Sequence, residues 1–307
     1  AGTLTFNSAG AVVISEDSDM DIVGVNTAGS ADLDSTGAIS DAGATSVTVT
    51  GLTDAAGTSI TLGGGTFDSG TLTFNSAGAV VISEDSDMDI VGVNTAGSAD
   101  LDSTGAISDA GATSVDVTML ADVAGTSITL GGGTFNAGTL TFNSLGMVTI
   151  SEDSDMDIVG VNTAGSADLD STGAISDAGA TSLDATMLAD VAGTAISLGG
   201  GTFDAGTLTF NSAGAVVISE DSDMDIVGVN TAGSADLDST GAISDAGATS
   251  VTVTGLTDAA GTSITLGGGT FDSGTLTFNS AGAVVISEDS DMDIVGVNTA
   301  GSADLDS

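Results

Sequence analysis

The sequence contains no lysine, arginine, histidine, cysteine, proline, tryptophan or tyrosine. Its 43 acidic residues are therefore uncompensated, and the formal net charge is −43 at pH 7. Nucleic-acid binding relies on cationic side chains that displace the counterions of the phosphates, and attraction to anionic membranes relies on them too. The composition therefore excludes nucleic acid and anionic membrane surfaces as partners.

Two further absences bear on the class of protein. Without cysteine, the chain can form neither a disulfide framework nor a thiolate zinc site. No apolar run approaches the ~18–20 residues of a membrane-spanning helix, so we expect no membrane insertion, and no signal peptide is recognisable. Apolar residues nevertheless make up 41% of the sequence and are spread evenly, which favours a folded chain over an acidic disordered one.

What is present is a tandem repeat. The phrase Gly-Thr-Leu-Thr-Phe-Asn-Ser begins at Gly2, Gly70, Gly138, Gly206 and Gly274. The repeat units are residues 2–69, 70–137, 138–205 and 206–273, followed by the partial unit 274–307. Residues 1–103 and 205–307 are identical, so three units also form a longer period. Tandem units of this size bury their apolar faces on their neighbours, so we expect residues 1–307 to form one continuous solenoid.

An alternation of apolar and polar residues indicates strands within each unit. Val12 and Ile14 are separated by one residue, and this period of two is typical of a half-buried strand. Between repeat copies such pairs stay apolar while the residue between them changes, as when Thr149 replaces Val13. We therefore expect the apolar pairs to face inward. No segment shows the three- and four-residue spacing of an amphipathic helix.

The sequence therefore predicts an all-β fold, a parallel β-helix (β-solenoid) with about three coils per 68-residue repeat, or about 22–23 residues per coil. Two coils of about 34 residues are the alternative, and the coil count stays open at this point. Phe6, Phe67 and their copies should stack along the axis as ladders inside the core. The glycine run at Gly63, Gly64 and Gly65 should form a tight corner.

Two segments resemble a known family. Residues 2–18 read Gly-Thr-Leu-Thr-Phe-Asn-Ser-Ala-Gly-Ala-Val-Val-Ile-Ser-Glu-Asp-Ser, and residues 35–42 read Ser-Thr-Gly-Ala-Ile-Ser-Asp-Ala. They are similar to the repeats of giant bacterial β-strand-repeat proteins, the filamentous-haemagglutinin-like surface proteins, and the resemblance covers the whole chain. It implies a secreted, right-handed β-helix that serves as an adhesin, a fibre or a cell-surface layer. It implies no catalytic residues.

The densest acidic cluster recurs in every unit and is the candidate metal site. Its members in the first three units are Glu16, Asp17, Asp19, Asp21, Glu84, Asp85, Asp87, Asp89, Glu152, Asp153, Asp155 and Asp157. Ca²⁺ takes six to eight hard oxygen ligands, which carboxylates supply. The other interpretation is a solvated acidic edge, in which inward-facing Met20 and Ile22 place Asp19 and Asp21 in water. The cluster matches no EF-hand loop and no Gly-Gly-x-Gly-x-Asp motif, and both interpretations stay open.

Other functions find less support in the sequence. Asp32 and Asp34 resemble the carboxylate pair of a polysaccharide-active β-helix enzyme, but they flank inward Leu33 in every unit, without tryptophan, tyrosine or arginine to hold a sugar. Thr-x-Thr pairs are similar to the arrays of ice-binding solenoids, yet the Thr48 position becomes Asp116 in the next unit. We therefore expect no enzyme, and no cofactor other than Ca²⁺.

Taken together, these features predict a structural segment of a very large secreted bacterial surface protein that forms a stiff acidic rod or an extracellular fibre. The expected partners are further repeats of the same chain through self-association, with divalent cations and glycans as further candidates. An adhesin that binds a glycan or another cell surface through one face is the alternative function. Because Ser307 lies halfway through a unit, we also expect the repeats to continue beyond it.

Overall fold

A computed structural model describes residues 2–41, 43, 45–109, 111–177, 179–245, 247 and 249–307. These residues form strands, turns and bends, and none of them lies in a helix. Backbone contacts divide the chain into two compact units, residues 1–153 and 154–307. The all-β prediction is confirmed, whereas one continuous solenoid over residues 1–307 stays a prediction.

The strands of both units are closely spaced along the chain, and they vary from 2 residues in β1 to 12 residues in β7. Those of the first unit are β1 (Thr3–Leu4), β2 (Ala11–Glu16), β3 (Met20–Ile22), β4 (Val25–Ala28), β5 (Ser30–Ser35), β6 (Ala38–Asp41), β7 (Ser46–Gly57), β8 (Ser59–Leu62), β9 (Thr66–Ser76), β10 (Ala79–Glu84), β11 (Met88–Ile90), β12 (Val93–Ala96), β13 (Ser98–Ser103), β14 (Ala106–Asp109), β15 (Ser114–Ala124), β16 (Ser127–Leu130), β17 (Thr134–Asn143) and β18 (Met147–Glu152). Those of the second unit are β19 (Met156–Ile158), β20 (Val161–Ala164), β21 (Ser166–Ser171), β22 (Ile175–Asp177), β23 (Ser182–Gly193), β24 (Ile196–Leu198), β25 (Thr202–Ser212), β26 (Ala215–Glu220), β27 (Met224–Ile226), β28 (Val229–Ala232), β29 (Ser234–Ser239), β30 (Ile243–Asp245), β31 (Ser250–Gly261), β32 (Ile264–Leu266), β33 (Thr270–Ser280), β34 (Ala283–Ser287) and β35 (Ser302–Asp306).

Each unit is a parallel β-solenoid. A strand pairs in parallel with the strand one turn later, as β2 pairs with β5 over six residues and β26 pairs with β29 over six. The side chains alternate as the sequence predicts, because Val80 and Ile82 on β10 are fully buried while Val81 between them is only half-buried. Apolar positions of period two therefore form the core of each unit.

The corner at the glycine run is confirmed as well. Gly63 has φ 96°, a backbone conformation that favours glycine. The carboxylate of Asp41 accepts hydrogen bonds from the N–H groups of Gly63 at 3.0 Å and Gly64 at 2.8 Å. Asp41 thereby anchors this glycine corner to the turn before it, and its copy Asp109 accepts the same two hydrogen bonds from Gly131 and Gly132.

A turn of the solenoid is shorter than the sequence predicts. Ile60 pairs with Val80, and Val80 in turn pairs with Ala99, so strand positions recur after about 20 residues, at the short end of the periods found in repeat proteins. About three turns per repeat are thus confirmed, and the alternative of two longer turns does not fit these registers. Each 68-residue repeat contains more than three turns, so one turn is shorter than one third of the repeat.

The pairing of β10 shows how far a repeat advances. One turn has three sides, formed for example by β5, β6 and the first half of β7. One stack contains β3, β6, β8 and β10, and the adjacent stack contains β2, β5 and the second halves of β7 and β9. β10 is the repeat copy of β2, yet it lies in the stack of β3. A repeat therefore occupies three turns plus one side, and in the second unit β26 pairs with β24 in the same manner.

The additional side begins where one strand, β9, pairs with two separate strands of the next turn, β11 and β12. Leu72 on β9 pairs with Ile90 on β11, whereas Asn75 on the same strand pairs with Thr95 on β12. Between them Gly92 has φ 73°, and the side chain of Asn94 is fully buried. Its Oδ1 accepts the N–H of Phe74 at 2.9 Å, and its Nδ2 donates to the carbonyls of Val91 and Ser114 at 3.0 and 3.2 Å. The buried asparagine therefore satisfies backbone groups where the regular ladder is interrupted.

The predicted phenylalanine ladders are wrong. Phe67 is stacked in register on Val47, and Phe74 on Ala55. In the second repeat Phe135 and Phe142 likewise lie on Val115 and Val123. Because each repeat advances by one extra side, the copies of a phenylalanine lie on different sides and do not form a ladder of phenylalanine on phenylalanine. The aromatic rings instead fill the core above small and branched aliphatic residues.

A buried pair of hydroxyl groups distinguishes two kinds of repeat. The Thr53 and Ser69 hydroxyls lie 2.8 Å apart, and both residues are buried. The second repeat has alanine at both positions, Ala121 and Ala137, and has Val123 where the first has Ala55. The third repeat changes the same positions together, to Ala189, Ala205 and Val191. Joint replacement avoids leaving one buried hydroxyl without a partner.

We expect Ser69→Ala alone to destabilise the chain by about 1–3 kcal/mol, because the Thr53 hydroxyl then lies buried without Ser69. The double variant Thr53→Ala/Ser69→Ala should lose less than the sum of the two single losses. Adding Ala55→Val should restore most of the stability, since it recreates the second repeat. Urea unfolding followed by circular dichroism measures these differences. Strict additivity of the two single changes would contradict a coupled pair.

Candidate functional site

The acidic cluster is divided by the alternation of the strands. In the second repeat Glu84 ends β10, and it faces inward with 2% of its surface exposed. Asp85, Asp87 and Asp89 are exposed, and Met88 between the last two is buried. The aspartates thus lie on the outer surface, as one of the two interpretations expects, whereas the buried glutamate was not expected.

The outer carboxylates bind different neighbours rather than a common centre. In the second repeat the hydrogen bonds run from Phe67 N–H to Asp85 Oδ2 (3.1 Å), from Ala106 N–H to Asp87 Oδ1 (2.8 Å) and from Ser108 Oγ to Asp89 Oδ1 (2.6 Å). Among the described residues, no group of three acidic side chains is placed to hold a metal ion. The calcium site stays a prediction.

The aspartates of the other copies are likewise held by separate neighbours, whereas the glutamates differ in burial. In the first repeat Asp17 is exposed and Glu16 is half-buried. Glu16 accepts a hydrogen bond from Ser18 Oγ (3.0 Å). Asp19 accepts one from Ala38 N–H (3.0 Å), and Asp21 accepts one from Ser40 Oγ (2.8 Å). In the third repeat Asp153 is exposed and Glu152 is buried. Glu152 accepts a hydrogen bond from Ala137 N–H (2.8 Å). Asp155 accepts one from Ala174 N–H (2.8 Å), and Asp157 accepts one from Ser176 Oγ (2.5 Å).

The buried glutamates are held through one oxygen only. Oε1 accepts a backbone N–H in each case, from Ser69 to Glu84 at 2.8 Å, from Ala205 to Glu220 at 3.0 Å and from Ser273 to Glu288 at 2.9 Å. Oε2 of these three glutamates is buried and has no hydrogen-bond partner within the described part of the chain. An ionised carboxylate in this position would leave one charged oxygen without a donor, which is costly.

Burial changes the acidity of Glu84 and Glu220. The pKa of Glu84 is raised to about 7, mainly by burial; the Asp68 and Asp89 carboxylates add to the rise, and the hydrogen bonds from Ser69 N–H and Ser86 Oγ oppose it. Burial likewise raises the pKa of Glu220 to about 7, with Asp204 and Asp225 as its acidic neighbours. Both side chains can therefore take up and release a proton near neutral pH.

A signal for the buried glutamate was present in the sequence. Val12, Ile14 and Glu16 share one parity of β2, so the alternation that places the valine and isoleucine inside places the glutamate there too. The density of aspartates after it suggested a solvated edge instead. Glu16 itself is only half-buried, whereas Glu84 is covered by β9 and accepts the N–H of Ser69.

A second set of carboxylates is brought together by the register. Asp32 and Asp54 are direct partners on β5 and β7, and Asp100 and Asp122 are partners on β13 and β15. Burial raises the pKa of Asp54, and the Asp32 and Asp34 carboxylates raise it further. The pair Asp32 and Asp34 thus lies on an outer face among like charges, where it repels rather than complements its neighbours.

The comparisons with known proteins identify only a repeat. The profile of a family described as repeats of unknown function (DUF5649) matches residues 213–272. Residues 9–68 have the same sequence as the matched segment. No curated protein and no solved structure matches the chain.

A search for membrane-crossing helices finds none in the part of the chain that the structure describes.

Proposed function

We propose that the chain is a structural repeat segment of a very large secreted surface protein and that it forms a stiff acidic rod or extracellular fibre. The observation that carries this proposal is the way repeats are joined. The junction between residues 69 and 70 lies inside strand β9, and the junction between residues 205 and 206 lies inside β25. Each of these strands is paired with the turn before it on both sides of the junction, and at the junction itself the earlier strand contains one extra residue, so that the register shifts there.

A junction inside a paired strand supports stiffness. A hinge needs residues whose backbone is free to rotate, and the backbone of a paired strand is fixed by its ladder. The uncompensated negative charge supports the second part of the proposal, because like-charged surfaces repel and keep parallel fibres apart. The resemblance of the repeats to bacterial surface proteins supports the location outside the cell.

Electron microscopy of the purified chain tests the mechanical role. We expect straight particles of one width, because the junctions after residues 69 and 205 lie inside paired strands. The matched control inserts eight Gly-Ser residues between Ser69 and Gly70, inside β9, and should give particles with a bend. Wild-type particles that bend as often as the insertion variant would contradict the proposal. Antibody labelling of intact, unpermeabilised cells tests the location, and exclusive labelling of broken cells would contradict it.

A further inference from the structure

One groove occurs twice in the first unit, at equivalent sequence positions of successive repeats. In the first repeat it has a volume of about 580 Å³ and is lined by Asp17, Asp34, Thr36, Gly57, Thr58 and Ala77. In the second it has a volume of about 470 Å³ and is lined by the corresponding Asp85, Asp102, Thr104, Gly125, Thr126 and Leu145. The two grooves share their acidic and hydroxyl-bearing walls and differ in the last residue.

Leu145 makes the second groove distinct. Its side chain is 95% exposed, the highest exposure of any large apolar residue in the described chain. The corresponding positions of the other repeats are Ala9, Ala77, Ala213 and Ala281. Only the third repeat, residues 138–205, has a leucine there. A leucine that packs against nothing in its own chain offers apolar surface that a partner can bury.

The lining of the groove also contains acidic residues. Asp85 and Asp102 lie along it, together with the hydroxyl groups of Thr104 and Thr126. The chain contains no lysine, arginine or histidine, so none of its own side chains can neutralise these carboxylates. The groove therefore combines negative charge, hydrogen-bond acceptors and an apolar wall.

This combination fits one kind of side chain. Lysine and arginine carry a cationic head, which donates to carboxylates and hydroxyls, on an apolar stem that packs along apolar surface. We propose that the groove at Leu145 binds a lysine- or arginine-bearing segment of a partner protein that also presents an apolar residue. The segment places its cation between Asp85 and Asp102 and its apolar residue on Leu145. This interaction is independent of the mechanical role of the repeats.

Peptide binding to the full chain tests the proposal. The probe is a fluorescent synthetic peptide in which lysine, leucine and glycine alternate, titrated at about 150 mM salt so that weak long-range attraction is screened. One control peptide has serine in place of leucine, and another has glutamate in place of lysine. We expect one saturable site for the probe and no binding of the glutamate peptide.

Two matched variants locate the site. Leu145→Ala gives the groove the residue that every other repeat has, so it should fold normally, and we expect it to weaken binding at least about fivefold because apolar burial is lost. Ala77→Leu should raise the stoichiometry from one site to two, since the first groove then has the same walls. Circular dichroism confirms that both variants are folded.

Several results would overturn the proposal. Unchanged affinity of Leu145→Ala, an unchanged stoichiometry of Ala77→Leu or the absence of saturable binding would each do so. Equal affinity of the serine peptide would show that the acidic surface attracts any cation without using the groove. Equally tight binding of the free polyamine spermidine would show that no polypeptide is needed.

Discussion

The stability of the chain is expected to rise as the pH falls from about 8 to about 5. Burial raises the folded-state pKa of Glu84 and Glu220 to about 7 from an ordinary value of 4.5. Between these values the folded chain keeps a proton that the unfolded chain releases, so this stabilisation is present in full below 4.5 and is lost as the pH rises through about 7. Each glutamate contributes on the order of 3 kcal/mol.

The aspartates change stability in the same direction. Burial raises the pKa of Asp54, Asp122 and Asp190, and neighbouring aspartates raise it further. The sequence contains no cationic side chain, so no ion pair opposes these shifts. Thermal unfolding at a series of pH values from 5 to 8 in EDTA measures the slope. Values below pH 5 are left out, because progressive protonation of the acidic side chains there removes the negative charge that keeps chains apart.

Matched variants assign this slope to the buried glutamates. We expect the double variant Glu84→Gln/Glu220→Gln to melt several degrees above wild type at pH 8, because the neutral amide removes a buried charge, and to change much less between pH 5 and 8. Glu16→Gln is the control, since Glu16 has the same local sequence but is only half-buried. A melting temperature that rises with pH, or an equal effect of Glu16→Gln, would contradict the burial argument.

Gly78→Ala is expected to destabilise the chain strongly, by about 2–4 kcal/mol. A Cβ at Gly78 would lie 2.3 Å from the carbonyl oxygen of Thr58 on the preceding turn, so one backbone must move. Gly10 is the copy of Gly78 in the first repeat, and a Cβ there would have Ser8 Oγ as its nearest neighbour, 3.9 Å away. Gly10→Ala should therefore be neutral or should stabilise by less than about 1 kcal/mol, because alanine restricts the unfolded chain.

Comparing Gly78→Ala with Gly10→Ala distinguishes a clash with the preceding turn from a local backbone preference for glycine. Both glycines lie in the same local sequence, Asn-Ser-Ala-Gly-Ala, so a purely local effect would be equal at the two positions. Chemical unfolding of both variants, with hydrogen exchange to localise the change, gives the difference. Equal stability of Gly78→Ala and Gly10→Ala would show that Thr58 does not pack against Gly78.

The all-β fold and the direction of the side chains could be predicted because period two is a local property of the sequence. Val80 and Ile82 face inward for the reason that also places Glu84 inside, namely their shared parity on β10. Parity places Glu84 inside, although the aspartates that follow it in the sequence are typical of an exposed edge. The linked changes of Thr53 and Ser69 between repeats could also have indicated a buried contact.

The advance of three turns plus one side could not be predicted from the repeat length. It depends on the register between strands on successive turns, which the alternation leaves free. The register is set where β9 is followed by both β11 and β12, and Gly92 and Asn94 make that interruption possible. Neither residue differs in the sequence from an ordinary turn residue, so the phenylalanine ladders were expected where none form.

Cysteine crosslinking tests the register of the solenoid most directly, because the wild-type chain has no cysteine. Thr61 and Val81 are direct partners on β8 and β10. We expect Thr61→Cys/Val81→Cys to form a disulfide rapidly under mild oxidation, since partners on adjacent strands lie within disulfide range. Ser59 and Val81 are separated in the sequence by about one third of a repeat, so they would be partners if a repeat were three whole turns. We expect Ser59→Cys/Val81→Cys to react much more slowly, because Val81 pairs with Thr61. Faster crosslinking of the Ser59 pair than of the Thr61 pair would contradict a repeat that advances by three turns and one side.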